Sequence, residues 1–290
     1  MNSQFARQLW ARLWQKYIAR VTYAQTYQQM ILKAGGTVAN DHIAFRSLRL
    51  SIGGKNLGIE YLGTIAEALG YEVAGEYTFT ETKLYARHYQ HPEDLPKLFI
   101  SELIVEELPD AIASTIYQTV SSASILDLST LKKLVATSDV ETLGIFTRPW
   151  LPPKLSIVEK VNAVTQYGAW VLLHGYAVNH FTAYINSQNT PQYPDIESTA
   201  KALAELGVPM KAEIEGSTGS GLRQTATFAV NEMVSVFDDS SNKLVQVPWT
   251  YAYYELAERS IVELEPGKRE LFTGFKGNNA QNLFEMTRKS

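Results

Sequence analysis

The chain has 290 residues, of which 45% are hydrophobic and 19% are charged, and its formal net charge is −4 at pH 7. These values are typical of a folded globular protein and exclude a disordered chain. The absence of cysteine excludes disulfide bonds and thiolate metal sites, so a metal ion would need His, Asp or Glu ligands. The acidic balance gives no general electrostatic reason to bind nucleic acid. No apolar run reaches the roughly 20 residues of a membrane span.

Residues 1–36 are predicted to form an N-terminal helical segment. Basic residues alternate with apolar ones between Phe5 and Val21, and no acidic residue interrupts them. That pattern also occurs in organellar transit peptides. Because the apolar spacing continues to Tyr27 and Ile31, we expect a helix that packs on the core of a cytosolic protein. Organellar import is the alternative.

Residues 37–108 are predicted to form a βαβββ module. Its first strand contains the run Asn40–Arg46, in which small and apolar residues surround a histidine and an arginine. Glycine pairs stop the preceding helix and turn the chain after this strand. The remaining predicted elements are a helix at 59–69 and strands at 71–79, 83–89 and 97–105.

The pattern changes after residue 108 and then returns. Residues 109–168 carry apolar residues at helical intervals, which predicts a helical insert. Residues 169–260 repeat the βαβββ order, and 261–290 are expected to form a C-terminal extension that packs on the core. The predicted elements of the second module are strands at 169–184, 211–215, 222–230, 233–237 and 244–256 and a helix at 195–206 that begins after Asp195.

The expected fold class is therefore α+β. Two βαβββ modules would form a curved antiparallel sheet around a pocket, with an N-terminal helix and a helical insert. This architecture resembles the vicinal oxygen chelate superfamily, in which paired modules surround a metal site.

The candidate metal ligands are His42, His180 and Glu255. The two histidines lie in corresponding strands of the two modules, so a pseudo-twofold arrangement would bring them together. Two imidazoles and one carboxylate form the facial triad typical of non-haem Fe(II), which leaves positions for substrate and dioxygen. Arg46 would share a strand face with His42, and its planar guanidinium suits a substrate carboxylate.

Several residues compete with this interpretation. A single histidine on a half-buried strand is more often structural than a ligand, and Glu102 or Glu258 could replace Glu255. His88 and His91 lie three apart on a strand, which points them to opposite faces. The glycine-rich run 216–221 lacks the lysine and helix of a phosphate loop, so it is interpreted as a strand connection.

Motifs along nearly the whole chain resemble the DUF1338 family, whose characterised members are 2-oxoadipate dioxygenase/decarboxylases. The matching segments, in chain order, are Asp41–Arg46, Asn179–Thr182, Leu222–Thr225, Tyr254–Arg259, Gly274–Phe275 and Asn282–Glu285.

The resemblance implies an Fe(II) enzyme that converts 2-oxoadipate and dioxygen into 2-hydroxyglutarate and carbon dioxide, late in lysine breakdown. It implies that His42, His180 and Glu255 hold the metal and that Arg46 grips a substrate carboxylate. Gln224 is a further candidate for a polar contact to the substrate. The alternatives are an oxygen-independent isomerase or lyase of the same fold, and a small-molecule binding protein without catalysis.

Overall fold

A computed structural model describes residues 3–137 and 144–276. Its helices are α1 Ser3–Ile18, α2 Thr22–Lys33, α3 Ile59–Ala68, α4 Asp110–Val120, α5 Leu128–Ala136, α6 Leu155–Asn162, α7 Gln166–His174 and α8 Ile196–Glu205. Its strands are β1 Asn40–Arg49, β2 Ser51–Ile52, β3 Lys55–Asn56, β4 Glu72–Phe79, β5 Leu84–Gln90, β6 Lys97–Ile104, β7 Val178–Tyr184, β8 Glu215–Ser217, β9 Leu222–Ala226, β10 Asn231–Phe237, β11 Leu244–Thr250, β12 Glu255–Arg259, β13 Ile261–Glu265 and β14 Lys268–Leu271.

One curved eight-stranded sheet organises the fold, in the order β4-β5-β6-β1-β7-β12-β9-β8. The first four strands come from the first βαβββ unit and the last four from the second, in mirrored order. At the centre, β1 and β7 run antiparallel, with His42 opposite Thr182 and Ala44 opposite His180. Since each histidine is the third residue of its strand, this pairing has the symmetry of a twofold axis between the strands.

The sheet is curved, as predicted, but it is mixed, whereas the prediction gave its strands as antiparallel. β1 pairs in parallel with β6, and β7 pairs in parallel with β12. In each module the helical crossover makes the second strand run in the same direction as the first. Two antiparallel connections follow, so the last strand again runs parallel to the first. The α+β class is confirmed, while the domain limits stay a prediction.

The predicted strand 169–184 was wrong over its first part, because α7 occupies it and β7 begins only at Val178. All nine residues of α7 except Gln166 are buried, and a helix buried on every side has the continuous apolar run of a buried strand. Thr165 caps the helix by accepting a hydrogen bond from Gly168. Gly175 ends it at φ 61°, where a Cβ would come within 2.3 Å of the Arg148 Cα.

The second module also differs from the predicted strands. The run 244–256 is divided into β11 and β12, and β11 pairs with β10 in a separate hairpin that tolerates Pro248 because both of its strands are edges. The strand predicted at 211–215 forms at Glu215–Ser217 instead, and the one predicted at 222–230 ends at Ala226. Of the C-terminal extension, the motif Asn282–Glu285 lies outside the described residues.

The N-terminal helix α1 is part of the core, which confirms that it packs. Its buried residues are Phe5, Ala6, Leu9, Trp10, Leu13, Trp14, Tyr17 and Ile18. The Trp14 ring meets Phe181 of β7 edge-on at 5.1 Å, and the Tyr17 hydroxyl donates to the Tyr253 carbonyl. Helix α1 therefore supports the strand that carries His180 from behind. Within the described chain, no helix combines the length and apolarity needed to cross a bilayer.

Candidate metal centre and substrate cavity

His42, His180 and Glu255 converge on one point at the middle of the sheet, as the two-module prediction requires. The two Nε2 atoms lie 3.4 Å apart, and the carboxylate oxygens of Glu255 lie 3.8 Å from His42 Nε2 and 3.3 Å from His180 Nε2. One atom from each residue can therefore be chosen so that all three lie within 4.8 Å of one another. This spacing suits a divalent metal, which binds imidazole nitrogen and carboxylate oxygen at about 2 Å.

Burial makes both imidazoles neutral and leaves the carboxylate without a compensating charge, as expected of metal ligands. The cost of desolvation lowers the pKa of His42 and of His180, so both imidazoles are neutral at neutral pH. Burial also raises the pKa of Glu255 well above its ordinary value, against the opposing effect of its bond from Gln224. Glu255 Oε2 has no hydrogen-bond partner among the described residues. A cation at the centre would compensate this buried carboxylate, so the donor set fits a metal ion.

Each histidine is oriented by the residue that precedes it. Asp41 Oδ2 lies 2.8 Å from His42 Nδ1, and Asn179 Oδ1 lies 3.0 Å from His180 Nδ1. With Nδ1–H donated to these oxygens, both Nε2 atoms present a lone pair to the centre. Glu255 is oriented from the neighbouring strand, where Gln224 donates its amide to Oε1.

Asp41 is itself held by Arg259, which lies on the same strand as Glu255. The guanidinium binds the carboxylate with both ends, Nε to Oδ1 at 2.5 Å and Nη2 to Oδ2 at 2.8 Å. Burial alone would raise the pKa of Asp41, but the positive charges of Arg259 and Lys97 hold it well below its ordinary value. Asp41 is therefore ionised at neutral pH, and its carboxylate can accept the Nδ1–H of His42.

The position that mirrors Glu255 in the first module is occupied by Phe99. Glu255 pairs with Thr182 of β7, and the equivalent residue of β1, Ala44, pairs with Phe99. An apolar ring therefore stands where a second carboxylate, as a fourth ligand, would complete the symmetry. Among the described residues, the only cluster of three or more possible metal ligands is His42, His180 and Glu255.

Arg46 lines the same cavity as the three candidate ligands. Its side chain is 1% exposed, and its guanidinium lies 4.8 Å from the ring centre of Tyr167 and 5.1 Å from that of Trp170, both on α7. The positive charge is near enough to contribute to the lowered pKa of His180. The helix that sequence patterns missed thus supplies the aromatic wall that holds the arginine in place.

Phe275, in the C-terminal segment, forms part of the cavity wall. Its ring meets His42 edge-on at 4.8 Å and packs on Phe99 at 5.0 Å. The carbonyls of Phe272 and Gly274 accept hydrogen bonds from Arg259 Nη1. The cavity is narrow, with about 20 Å³ of space for water-sized molecules. The lining residues are His42, Ala44, Phe45, Arg46, Phe99, Ser101, Asn179, His180, Gln224, Tyr253, Glu255 and Phe275.

A family model described as 2-oxoadipate dioxygenase/decarboxylase matches residues 11–286. The chain belongs to this family. The resemblance drawn from the motifs is thereby confirmed.

Known proteins similar to this family member include a plant enzyme and two solved structures. The chloroplastic 2-oxoadipate dioxygenase/decarboxylase of Arabidopsis thaliana is 29% identical over 269 residues, which cover 85% of this chain and 67% of that protein. The hydroxyglutarate synthase of Oryza sativa, solved in complex with 2-oxoadipate, has a TM-score of 0.80 at 24% identity and covers 99% of this chain and 93% of that one. A protein from Ralstonia eutropha JMP134 assigned to the glyoxalase superfamily has a TM-score of 0.79 at 22% identity, with 94% and 86% covered. These two structures share the fold.

The competing residues lie in other contacts of this family member. Glu102 binds Arg49 at 2.6 Å and accepts from the first amide of α3, while Glu258 pairs with Arg223 at 2.8 Å. His88 contacts Phe275 rather than the three ligands. The glycine-rich run 216–221 connects β8 to β9, as predicted.

Sequence reasoning missed Asp41, Asn179, Arg259 and Phe275 as parts of the site. Arg259 had a signal, since it lies four residues after Glu255 on one strand and so shares its face. Asp41 and Asn179 had another, because each directly precedes a histidine in equivalent strands. Phe275 carried no signal beyond its place in a matching motif.

Proposed function

We propose that this protein is a non-haem Fe(II) dioxygenase/decarboxylase of a 2-oxo acid, most favourably 2-oxoadipate, with 2-hydroxyglutarate and carbon dioxide as products. The observation that carries the proposal is the convergence of two neutral imidazoles, one buried carboxylate and one buried guanidinium on a single cavity. Membership of the 2-oxoadipate dioxygenase/decarboxylase family supports it.

The proposed metal ligands are His42, His180 and Glu255. Two imidazoles and a carboxylate on one side of the metal suit Fe(II) and leave its other side open. Phe99, at the mirrored position, supports an open site because its ring offers no ligand atom. When bound, the iron would supply adjacent positions for substrate and dioxygen and the electrons that start the reduction of dioxygen.

The protein's own groups bind and orient the substrate. Arg46 would pair with a carboxylate of the acid through its planar fork, and the aromatic rings of Tyr167 and Trp170 fix the direction of that fork. Gln224 would keep Glu255 in place and is proposed to offer a second polar contact to the acid. Phe275 and Phe99 would exclude water from the reacting atoms.

The overall reaction balances without another reductant. 2-Oxoadipate and dioxygen together hold the atoms of 2-hydroxyglutarate and carbon dioxide. Loss of carbon dioxide supplies two electrons and hydroxylation of the shortened acid supplies two more, so dioxygen is fully reduced, with one atom in the new carboxylate and the other in the hydroxyl. We propose lysine breakdown as the pathway, and the cytosolic location stays a prediction.

Oxygen uptake by the iron-loaded protein, measured with 2-oxoadipate and with shorter 2-oxo acids, tests this function. We expect uptake and 2-hydroxyglutarate in equal amounts. A protein that binds one metal ion per chain but consumes no oxygen with any acid of the panel would contradict the dioxygenase. Conversion of an acid without oxygen would instead indicate an isomerase or lyase, and binding without conversion would indicate a binding protein.

A further inference from the structure

The side-chain amide of Asn179 is a buried donor without a partner. Asn179 is 2% exposed and lines the cavity that contains the three candidate ligands. Its Oδ1 lies 3.0 Å from His180 Nδ1, while its Nδ2 has no hydrogen-bond partner among the described residues. A buried amide donor without a hydrogen bond destabilises the folded state, so a partner for this group is expected.

The orientation of the amide follows from the role of His180. If His180 Nε2 faces the metal, the ring proton lies on Nδ1 and must be donated to an acceptor. Asn179 supplies that acceptor with Oδ1, which leaves its NH₂ group directed away from the ring. The missing partner of Asn179 is therefore an acceptor, and a molecule bound in the cavity that Asn179 lines can supply it.

The mirrored residue in the first module shows that this open donor is not a general consequence of the fold. Asp41 occupies the equivalent position, one residue before His42, and both of its oxygens are bound by Arg259. Among the described residues, no protein group accepts a hydrogen bond from the Asn179 amide. The two orienting residues thus differ in one respect: the second lines the cavity and keeps an amide donor without a partner among the described residues.

We infer that the Asn179 amide binds the substrate, by donating a hydrogen bond to a carboxylate oxygen of the 2-oxo acid group at the metal. This inference rests on the proposed function and assigns a second anion-binding group, which acts at the metal end of the acid in addition to Arg46. A neutral amide suits the position because it serves both neighbours at once. Its oxygen orients His180 and its nitrogen holds the substrate, whereas an aspartate could only do the first.

The substitution Asn179→Asp separates these two tasks. The aspartate keeps an acceptor for His180 Nδ1 but replaces the donor by a negative oxygen that repels the substrate carboxylate. Asn231→Asp is the matched control, since it makes the same change at an exposed position of β10. Binding of 2-oxoadipate is measured by calorimetry without oxygen at saturating Fe(II), together with metal content and the thermal midpoint of each variant.

We expect N179D to bind Fe(II) and to fold like the wild type, while its Kd for 2-oxoadipate rises by about 10-fold or more. N231D should bind the acid like the wild type. An N179D protein with a Kd within twofold of the wild type overturns the role of Asn179. If the wild type holds Fe(II) but binds no 2-oxo acid, the proposed function fails first. The two failures are distinguishable, because only the second affects the wild type.

Discussion

Arg259 and Asp41 form a buried two-pronged ion pair between the last strand of the second module and the first strand of the first. The two residues are 2% and 3% exposed. Asp41 Oδ2 also lies 2.8 Å from His42 Nδ1. Arg259 also binds the carbonyls of the C-terminal segment that carries Phe275. The orientation of one candidate metal ligand and part of the cavity wall therefore depend on one guanidinium.

The substitution Asp41→Asn should weaken both metal binding and the fold. His42 loses a charged partner, and loss of such a partner typically costs 10–100-fold in metal affinity. Arg259 is left buried without its counter-charge, which should lower the free energy of unfolding by about 3–5 kcal/mol. Metal titration and urea unfolding of the same preparation measure the two effects.

Glu258→Gln is the control for this prediction, because it removes a carboxylate from the strand of Arg259, at the more exposed pair with Arg223. It should change the unfolding free energy by less than about 1 kcal/mol. Equal metal affinity in D41N and the wild type would show that Asp41 does not act through His42.

Arg46→Lys should keep the metal and lose the substrate. The lysine retains the positive charge, but it has no planar fork to pair a carboxylate at two points or to stack on Tyr167 and Trp170. We expect unchanged Fe(II) content and at least a 10-fold higher KM for 2-oxoadipate, as two charge-assisted bonds become one. Arg87→Lys, at a more exposed position on β5, is the control. A KM like that of the wild type would place the carboxylate clamp elsewhere.

Much of this site could be predicted because it follows from strand periodicity and duplication. His42 and Arg46 share a face of one strand, and His180 occupies the equivalent strand of the second module. Those relations need only a period of two and a repeat. Helix α7 could not be predicted in this way, since a fully buried helix has no amphipathic pattern to distinguish it from a buried strand.

The supporting residues depend on contacts that form only when the chain is folded. Arg259 meets Asp41 across 218 positions of sequence, and neither residue type indicates its partner. The free donor of Asn179 is likewise visible only after all nearby acceptors have been placed. Local sequence patterns predict the residues that follow a strand period, which include the candidate ligands. The residues that orient these ligands are brought into contact only by long-range pairing in the folded chain.

Phe275→Ala should open the cavity and destabilise the protein. The ring packs on His42, His88 and Phe99, so its removal should cost about 3–5 kcal/mol of unfolding free energy. Water would also reach the reacting atoms, and we expect oxygen uptake to exceed 2-hydroxyglutarate formation. Phe228→Ala, at an exposed residue, should change neither quantity. Tight coupling in F275A would show that other residues exclude the water.

His88 should make the metal-free protein less stable in acid. Burial, followed by the charges of Arg259 and Lys97, lowers the pKa of His88 to about 4. Between about pH 6.5 and pH 4, His88 is therefore protonated in the unfolded chain but neutral in the folded chain. The free energy of unfolding falls as the pH drops through this range. His88→Gln should lose roughly 1–2 kcal/mol less than the wild type between pH 7 and pH 5. Parallel stability curves for the two proteins would contradict a lowered pKa.

Phe99→Glu should convert the open three-ligand site into a closed one. The new carboxylate would stand at the position that mirrors Glu255, so the metal would gain a fourth protein ligand and lose a position for the 2-oxo acid. We expect metal to be retained at least as well as in the wild type, while 2-oxoadipate binding and oxygen uptake are lost. Phe99→Leu, which keeps an apolar side chain, should retain most binding. If F99E kept the metal and still bound the acid as tightly as the wild type, the substrate would not depend on the side of the metal that Phe99 leaves open.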